Sequence, residues 1–239
     1  MIQGFLQGIS FFLQGFSLIT QKGIRGFVLI PLLINVVVFS GAIWLAYAQF
    51  QSLMERLTGW LPSWLSWVEW ILLPFFAVLV LLVIYYTFSI IANFIAAPFN
   101  ALLAERVEKK MNGLPLPESS GFKAMAANLG KTLSSEVKKI LYMLKWMPVL
   151  LLITVIPGVN LIAPAAWVLY GAWMYSLQYT DYPMGNHEMF LKEELGVLRK
   201  NRSHALGFGA ATTAMTLIPV INFFAMPVAV AGATAMWVK

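Results

Sequence analysis

The chain alternates between long stretches without charge and shorter stretches in which the charged residues gather. Residues 26–54, 70–104, 146–180 and 205–238 contain no Asp, Glu, Lys or Arg. Each stretch is longer than the roughly 20 apolar residues that cross a hydrocarbon core as a helix. The pattern predicts an all-α integral membrane protein, organised as a single membrane domain over residues 1–239.

The first two stretches differ from the last two in where their helix breakers lie. The first two keep smooth apolar centres and predict two long transmembrane helices. The third carries Pro157 and Pro164 near its middle, and the fourth carries Pro219 and Pro227. Because an internal proline removes a backbone hydrogen bond and clashes with the preceding turn, we expect these two stretches to fold as helical hairpins.

The expected length of the hairpin helices indicates how they meet the membrane. Each half has about 10 to 16 residues, which is too short to span a bilayer. We therefore expect both hairpins, residues 146–180 and 205–238, to be re-entrant: they enter the bilayer and return to the same side. Two spanning helices, each kinked at its prolines, are the alternative.

Asparagines recur at the interrupted segments. Asn160 and Asn222 lie between the prolines of the two hairpins, and Asn93 and Asn100 flank a similar phrase in the second stretch. Paired interrupted helices are typical of transport sites, because their ends present unpaired backbone groups to an ion. These asparagines are therefore candidate pore-lining residues. Alternatively, the two interrupted segments share a turn sequence that serves only helix packing.

Two further segments have helical periodicity. In residues 1–21 polar side chains recur every three or four positions opposite an apolar face, which predicts an amphipathic helix that can lie in the membrane interface. In residues 105–145 apolar side chains recur at helical spacing between lysines, which predicts a cationic helical segment on the inner membrane surface. A docking face for a soluble partner is the alternative for this second segment.

Composition narrows the classes of function. Hydrophobic residues make up 60% of the chain and charged residues 11%, whereas soluble domains carry about 25% charged residues. Cysteine is absent, and the spacing of His187 and His204 does not match a metal site. The chain is therefore not expected to be an enzyme, and no cofactor, metal or catalytic residue is predicted.

The basic residues that give the net charge of +6 are unevenly distributed along the chain. Basic residues gather at residues 22–25, 105–145 and 181–204, whereas residues 55–69 contain few. The positive-inside rule then places the N-terminus and the basic segments in the cytoplasm, so the charge is not read as a nucleic-acid signal. The acidic residues within 181–204 are interpreted as members of a solvated loop.

One short segment, residues 21–26, combines glycines with basic side chains. Gly23 and Gly26 permit a tight turn after Gln21, and Lys22 and Arg25 add full positive charges beside the amides that open the next helix. Such a place binds anions, and a planar guanidinium suits a tetrahedral oxyanion. Anchoring by the positive-inside rule is the alternative explanation for the two basic residues.

Four motifs, in matching order, resemble those of the CysZ family of bacterial sulfate permeases. They are Gly23-Ile-Arg25 ahead of Ile30-Pro31, Asn93-Phe-Ile-Ala-Ala-Pro98-Phe-Asn100, Gln178-Tyr-Thr-Asp181-Tyr-Pro183, and Met226-Pro227-Val-Ala-Val-Ala-Gly232. The resemblance covers nearly the whole chain. It implies a multi-pass protein of the bacterial inner membrane that imports sulfate for assimilation into cysteine and assembles as a homo-oligomer in the lipid bilayer.

The resemblance also implies a sulfate site. The family's Gly-hydrophobic-Arg turn corresponds to Gly23, Ile24 and Arg25, with Lys22 and Gly26 as its neighbours. Many family members carry a second arginine where this chain has Gly26. Two further candidate pore-lining residues, at the expected pore mouth, are Glu105 and Arg106.

The sequence thus predicts a sulfate permease. Because the chain contains no ATPase motif, it is expected to work as a channel or an ion-coupled transporter without ATP hydrolysis. Two alternatives stay open. One is a non-transporting membrane scaffold for sulfate-assimilation proteins, and the other is a general anion channel.

Overall fold

The computed structural model describes residues 2–59, 67–113 and 129–239. These residues form eight α-helices and a short 3-10 helix, and no β-strand lies among them. The α-helices are α1 Ile2–Ile19, α2 Arg25–Thr58, α3 Glu69–Asn112, α4 Leu129–Val155, α5 Ala163–Asn186, α6 Leu191–Lys200, α7 Arg202–Thr216 and α8 Pro219–Val238. The 3-10 helix, Val159–Ile162, lies between α4 and α5.

Several helices are apolar enough to cross a membrane. Among the described residues, four stretches have the required length and composition: Ile2–Ile19, Arg25–Phe50, Trp70–Thr87 and Ile221–Val238. Large apolar side chains along α2 and α3, including Leu33, Trp44 and Trp70, are exposed. Exposed apolar surface of this extent indicates contact with lipid. The prediction of an all-α membrane protein with two long apolar helices is confirmed.

The chain forms two compact units. The first unit comprises Met1–Val28 and Asn100–Lys239, and the second comprises Leu29–Phe99. The second unit contains most of α2 and α3. The first unit contains the other six helices and has a core of fully or nearly fully buried side chains that include Phe12, Leu103, Val107, Phe208 and Val228. The organisation as a single membrane domain stays a prediction.

Glycines allow α1 to lie directly against α7 and α8. A Cβ atom on Gly8 would overlap the backbone carbonyl of His204. A Cβ atom on Gly15 would overlap the carbonyl of Val228 in the same way. Small residues at helix crossings are the usual means by which membrane helices approach closely. The helix predicted for residues 1–21 is therefore present, and it packs through its glycines.

The apolar face predicted for α1 is only partly used for packing within the chain. Phe12 is buried in the core, whereas Ile2, Leu6 and Leu13 are exposed. Exposed apolar side chains on an otherwise packed helix suit contact with the apolar part of a bilayer.

The helices α4 and α5 form the first predicted hairpin. Trp167 Nε1 donates a hydrogen bond to Thr154 Oγ1 at 3.1 Å, and Tyr170 OH donates to the Met143 carbonyl at 3.0 Å. Residue numbers fall along α4 as they rise along α5, so the two helices run antiparallel. Gly158, with φ of +84°, lies in the turn between them.

Only some of the prolines interrupt their helices. Pro164 and Pro219 lie in the first turns of α5 and α8, where a missing N–H costs no helical hydrogen bond. Pro227 lies inside α8, which continues to Val238, so the break predicted there is wrong. The small side chains that follow Pro227 are buried in the core, and this packing offsets the lost hydrogen bond.

The hairpin helices are longer than the sequence predicted. α4 has 27 residues, α5 has 24, α7 has 15 and α8 has 20. At about 1.5 Å per residue, α4 is about 40 Å long. The expected length of 10 to 16 residues is wrong for three of the four, because α4 begins before its charge-free stretch, α5 continues beyond it and α8 continues through Pro227. The re-entrant course of the hairpins stays a prediction.

The segment of residues 105–145 divides between two helices. α3 continues to Asn112, α4 begins at Leu129, and residues 114–128 lie outside the described part of the chain. On α4, Val137 and Ile140 of the predicted apolar face are exposed, whereas Lys139 is buried. The lysine therefore faces the protein core, and the apolar side chains face outward.

Residues 181–204 do not form a loop. They comprise the end of α5, all of α6 and the start of α7. Glu194, which was interpreted as a solvated residue, is completely buried on the inner face of α6 together with Leu195 and Leu198. The interpretation as a solvated loop is wrong, because one face of α6 is buried although the segment contains many charged residues.

Candidate functional site

The predicted anion site lies in the turn between α1 and α2. The carbonyl of Gln21 accepts hydrogen bonds from the backbone N–H groups of Ile24 and Arg25, both at 3.1 Å. Gly23 has φ of +86°, in the left-handed region that favours glycine. This turn ends α1, and α2 begins at Arg25.

Ile24 anchors the turn in the core of the first unit. Its side chain is 1% exposed, whereas Lys22, Gly23 and Arg25 are exposed. The turn therefore presents its two cationic side chains outward from a fixed backbone. The Ile24 amide donates to the Gln21 carbonyl, so in this structure Ile24 holds the turn in place. The part of Ile24 in sulfate binding stays a prediction.

The end of α3 brings further positive charge to the turn. The guanidinium carbon of Arg106 lies 5.5 Å from the centre of the Phe27 ring, which is a cation–π contact. Lys110 Nζ donates to the carbonyl of Lys22 at 3.5 Å. Arg106 was predicted to lie at a pore mouth. Lys110 was not singled out, because the sequence marks it only as one of many cytoplasmic lysines.

Two polar contacts hold the end of α3 against the end of α5. Asn186 Nδ2 donates to the carbonyl of Ala101 at 2.9 Å, and His187 Nε2 lies 2.8 Å from Glu108 Oε1. Glu108 is buried, so it requires a polar partner. These contacts fix the helix end that carries Arg106.

The arrangement suits a divalent oxyanion. Lys22 and Arg25 lie at the turn itself, Lys110 contacts the turn from α3, and Arg106 contacts Phe27 in the first helical turn of α2. Four cationic side chains from two parts of the chain therefore border one short segment. Guanidinium groups bind oxyanions through paired N–H donors, and ammonium groups add charge with less directional demand. We call these four residues the cationic cluster.

The predicted pore-lining residues lie in different settings. Asn100 is buried, and its Nδ2 donates to Tyr182 OH at 3.4 Å and to Met226 Sδ at 2.9 Å. Asn160 and Asn222 are exposed near the turns of the two hairpins. No hydrogen bond joins these three asparagines to one another among the described side chains.

The remaining two pore candidates lie on α3. Glu105 is half-buried beside Arg106 in the chain. The side chain of Asn93 lies outside the described part of the structure. A shared path formed by the asparagines and Glu105 stays a prediction.

A comparison with known families identifies the family of this chain. Residues 11–227 match the family described as Sulfate transporter CysZ/Etoposide-induced protein 2.4. The matched part includes the turn, the end of α3, the whole first hairpin and the second hairpin as far as Pro227. The chain belongs to this family. The resemblance to CysZ proteins inferred from the four motifs is thereby confirmed.

Individual CysZ proteins are similar over nearly the whole chain. The chain is 42% identical over 232 residues to the Sulfate transporter CysZ of Pectobacterium atrosepticum, covering 97% of this chain and 84% of that protein. It is 43% identical over 232 residues to the Sulfate transporter CysZ of Salmonella typhimurium, covering 97% of this chain and 91% of that protein. Both relatives are named as transporters, which supports the expectation that this chain is not an enzyme.

Proposed function

We propose that this protein is a sulfate permease of the bacterial inner membrane, which supplies sulfate for assimilation into cysteine. Two observations support the proposal. The first is the membership of the CysZ family, whose members above are named sulfate transporters. The second, which carries the assignment of the site, is the cationic cluster at the turn between α1 and α2.

In the proposed binding step, sulfate meets the turn from the cytoplasmic side of the membrane. Arg25 supplies the guanidinium that grips the oxyanion, and Lys22 adds a second charge. Gly26 contributes no cation because it has no side chain, although open space surrounds its position. Arg106 supplies from α3 the second guanidinium that many CysZ proteins carry at the position of Gly26.

The proposed path leads from the turn past polar side chains on several helices. A charged group near the centre of a bilayer costs several kcal/mol even on lenient scales (about 2.5–3.5 kcal/mol). Asn93, Asn100, Asn160, Asn222 and Glu105 are the proposed lining residues, and the ends of interrupted helices lower the cost further. The permease works without ATP hydrolysis, as a channel or as an ion-coupled transporter.

The proposed arrangement in the membrane follows from the positions of the basic residues. The N-terminus, the end of α3 and residues 181–204 lie in the cytoplasm, and both hairpins return to that side. The protein works as a homo-oligomer surrounded by lipid. The exposed apolar surfaces of α2 and α3 are consistent with both kinds of neighbour.

Sulfate flux into liposomes that contain only this protein tests the proposal. The Arg25→Ala variant should reduce sulfate binding and flux about tenfold or more, since a hydrogen bond to a charged group is worth about 1.5–3 kcal/mol. Arg106→Ala should cause a smaller loss. Arg199→Ala, which removes an exposed arginine on α6, is the matched control and should leave flux unchanged.

The same liposomes distinguish the alternatives. Flux of sulfate well above that of chloride and phosphate supports a sulfate permease, whereas similar fluxes indicate a general anion channel. Absence of flux indicates the scaffold. Dependence of the sulfate flux on an imposed pH gradient separates proton-coupled transport from a channel. Unchanged flux in Arg25→Ala would remove the turn from the proposed site.

A further inference from the structure

Four titratable side chains from three helices of the first unit lie together, of which Lys139 and Glu194 are buried, Asp181 is partly buried and Glu136 is exposed. Lys139 Nζ on α4 lies 2.8 Å from Asp181 Oδ2 on α5 and 2.6 Å from Glu136 Oε1 on its own helix. Glu194 on α6 lies beside Asp181. The group therefore contains three carboxyl groups and one ammonium group, and we call it the acidic cluster.

Glu194 is the member that lacks a counter-charge of its own. Its side chain is 0% exposed, and neither carboxyl oxygen has a hydrogen-bond partner among the described residues. Lys139 is already shared between Glu136 and Asp181. A buried carboxylate without a donor is strongly unfavourable, whereas a protonated carboxyl can itself donate a hydrogen bond. Asp181 offers the acceptor.

The electrostatic surroundings also favour a protonated, neutral Glu194. Burial raises the pKa of Glu194 far above its usual range, and the neighbouring Asp181 carboxylate raises it further. For Lys139, burial works against the charged form, but the Asp181 and Glu136 carboxylates outweigh burial and raise its pKa. The ammonium therefore stays charged while Glu194 stays neutral.

The surrounding helices add no further buried cation to the acidic cluster among the described residues. The charged residues on the outer face of α6 and at the start of α7 are exposed; they are Lys192, Glu193, Arg199, Lys200 and Arg202. His204 on α7 lies 2.8 Å from Gln7 Oε1 on α1. With all four members charged, the cluster carries two net negative charges, and one proton halves that excess.

We propose that the acidic cluster is a proton-binding site, in which Glu194 holds one proton as a neutral carboxylic acid that donates to Asp181. Release of this proton to solvent leaves two adjacent carboxylates and frees α6 from α4 and α5. The buried side chains Leu195 and Leu198 hold α6 in place while the proton is bound. This site goes beyond the proposed sulfate function and does not depend on it.

The direction of the pH effect follows from linkage. Glu194 binds its proton more tightly when α6 is docked than when α6 is released into water, so rising pH favours release. The effect spans the interval from the ordinary pKa of 4.5 to the raised value of about 9. Within this interval the equilibrium for release should increase about tenfold per pH unit.

Infrared spectroscopy tests the protonation state directly. At neutral pH the wild-type protein should show a carbonyl band of a protonated carboxyl group that is lost in Glu194→Gln. Glu193→Gln changes the exposed neighbouring residue to the same amide and should retain the band. A wild-type spectrum without this band, or a band that persists in Glu194→Gln, would overturn the proposal.

Hydrogen exchange tests the release of α6. After correction for intrinsic exchange, protection of the amides in residues 191–200 should fall about tenfold per pH unit in the wild type and stay constant in Glu194→Gln. Asp181→Asn frees Lys139 to pair with Glu194 and should therefore lower the pH at which the carboxyl band disappears. If Glu194→Gln does not fold, the pH dependence of amide protection in the wild type and the carboxyl band of Asp181→Asn still test the proposal. A flat wild-type profile would contradict the proposal. None of these readouts depends on sulfate flux.

Discussion

The two units use apolar helices in opposite ways. In the first unit, half of the residues of the stretch Ile221–Val238 on α8 are buried, whereas none of the described side chains of the stretch Trp70–Thr87 in the second unit is buried. Both stretches are long and apolar enough to cross a membrane. They differ in side-chain size, because α8 is rich in Ala and Val, whereas the stretch on α3 contains Trp, Phe and Leu. Small side chains allow helix backbones to approach, and large ones offer surface to lipid.

The units also differ in how they treat polar side chains. The first unit buries Lys139 and Glu108, and each has a polar partner at 2.8 Å, Asp181 for Lys139 and His187 for Glu108. Such pairs are tolerated inside a protein only when each partner offsets the cost of removing the other from water. A packed unit can therefore contain chemistry that a lipid-facing helix cannot accommodate.

Substitution of glycine by valine should give the largest difference in stability between the two units. Gly15→Val should prevent stable folding, because even its Cβ atom overlaps the carbonyl of Val228 and the backbone of α8 cannot yield without losing its own packing. Gly41→Val on α2 is the matched control, since open space surrounds that position. The yield and thermal unfolding midpoint of the purified protein in detergent measure both. Equal losses in the two variants would show that the units do not differ in packing.

Truncation of leucine should give the next largest difference. Leu103→Ala removes a completely buried side chain from the first unit and should lower the free energy of unfolding by about 2–5 kcal/mol. Leu33→Ala removes an exposed side chain from the second unit and should change it by no more than about 0.5 kcal/mol. Denaturant unfolding in one detergent compares them. A larger effect at Leu33 would indicate that a neighbouring copy buries that surface.

Loss of a buried charge should give the smallest of these three effects. Lys139→Met leaves Asp181 without its ammonium partner and should lower the free energy of unfolding by about 1.5–3 kcal/mol. Lys138→Met, one residue earlier on the exposed side of α4, should have little effect. The same unfolding experiment serves as the measurement. If the two variants behave alike, the Lys139 ion pair does not stabilise the packed unit.

Much of the helical organisation was predictable from local rules. The long charge-free stretches predicted α2 and α3, and the prolines near the middle of each hairpin stretch predicted a break between its two helices. These predictions succeed because chain length, apolar composition and the lost N–H of proline act on the local backbone. Pro227 misled the prediction, since whether an internal proline ends a helix depends on the packing around it.

The candidate site was predictable in part for the same reason. Lys22, Gly23 and Arg25 are close in sequence, so their turn is visible as a motif, and the positive φ of Gly23 agrees with a tight reversal. Lys110 was not predicted, although it contacts Lys22, because 88 residues separate the two. Nothing in the spacing of lysines indicates which one faces a particular turn.

The sequence by itself determined the class of the protein, its long apolar helices and the turn with its two cations, because composition and short-range backbone constraints decide these features. Only the tertiary structure decided that Arg106 and Lys110 border the turn and that Glu194 is buried beside Asp181. Charged residues at helical spacing look the same whether they face water or the core. Their role depends on which helix faces meet, and that depends on the packing of side chains far apart in the chain.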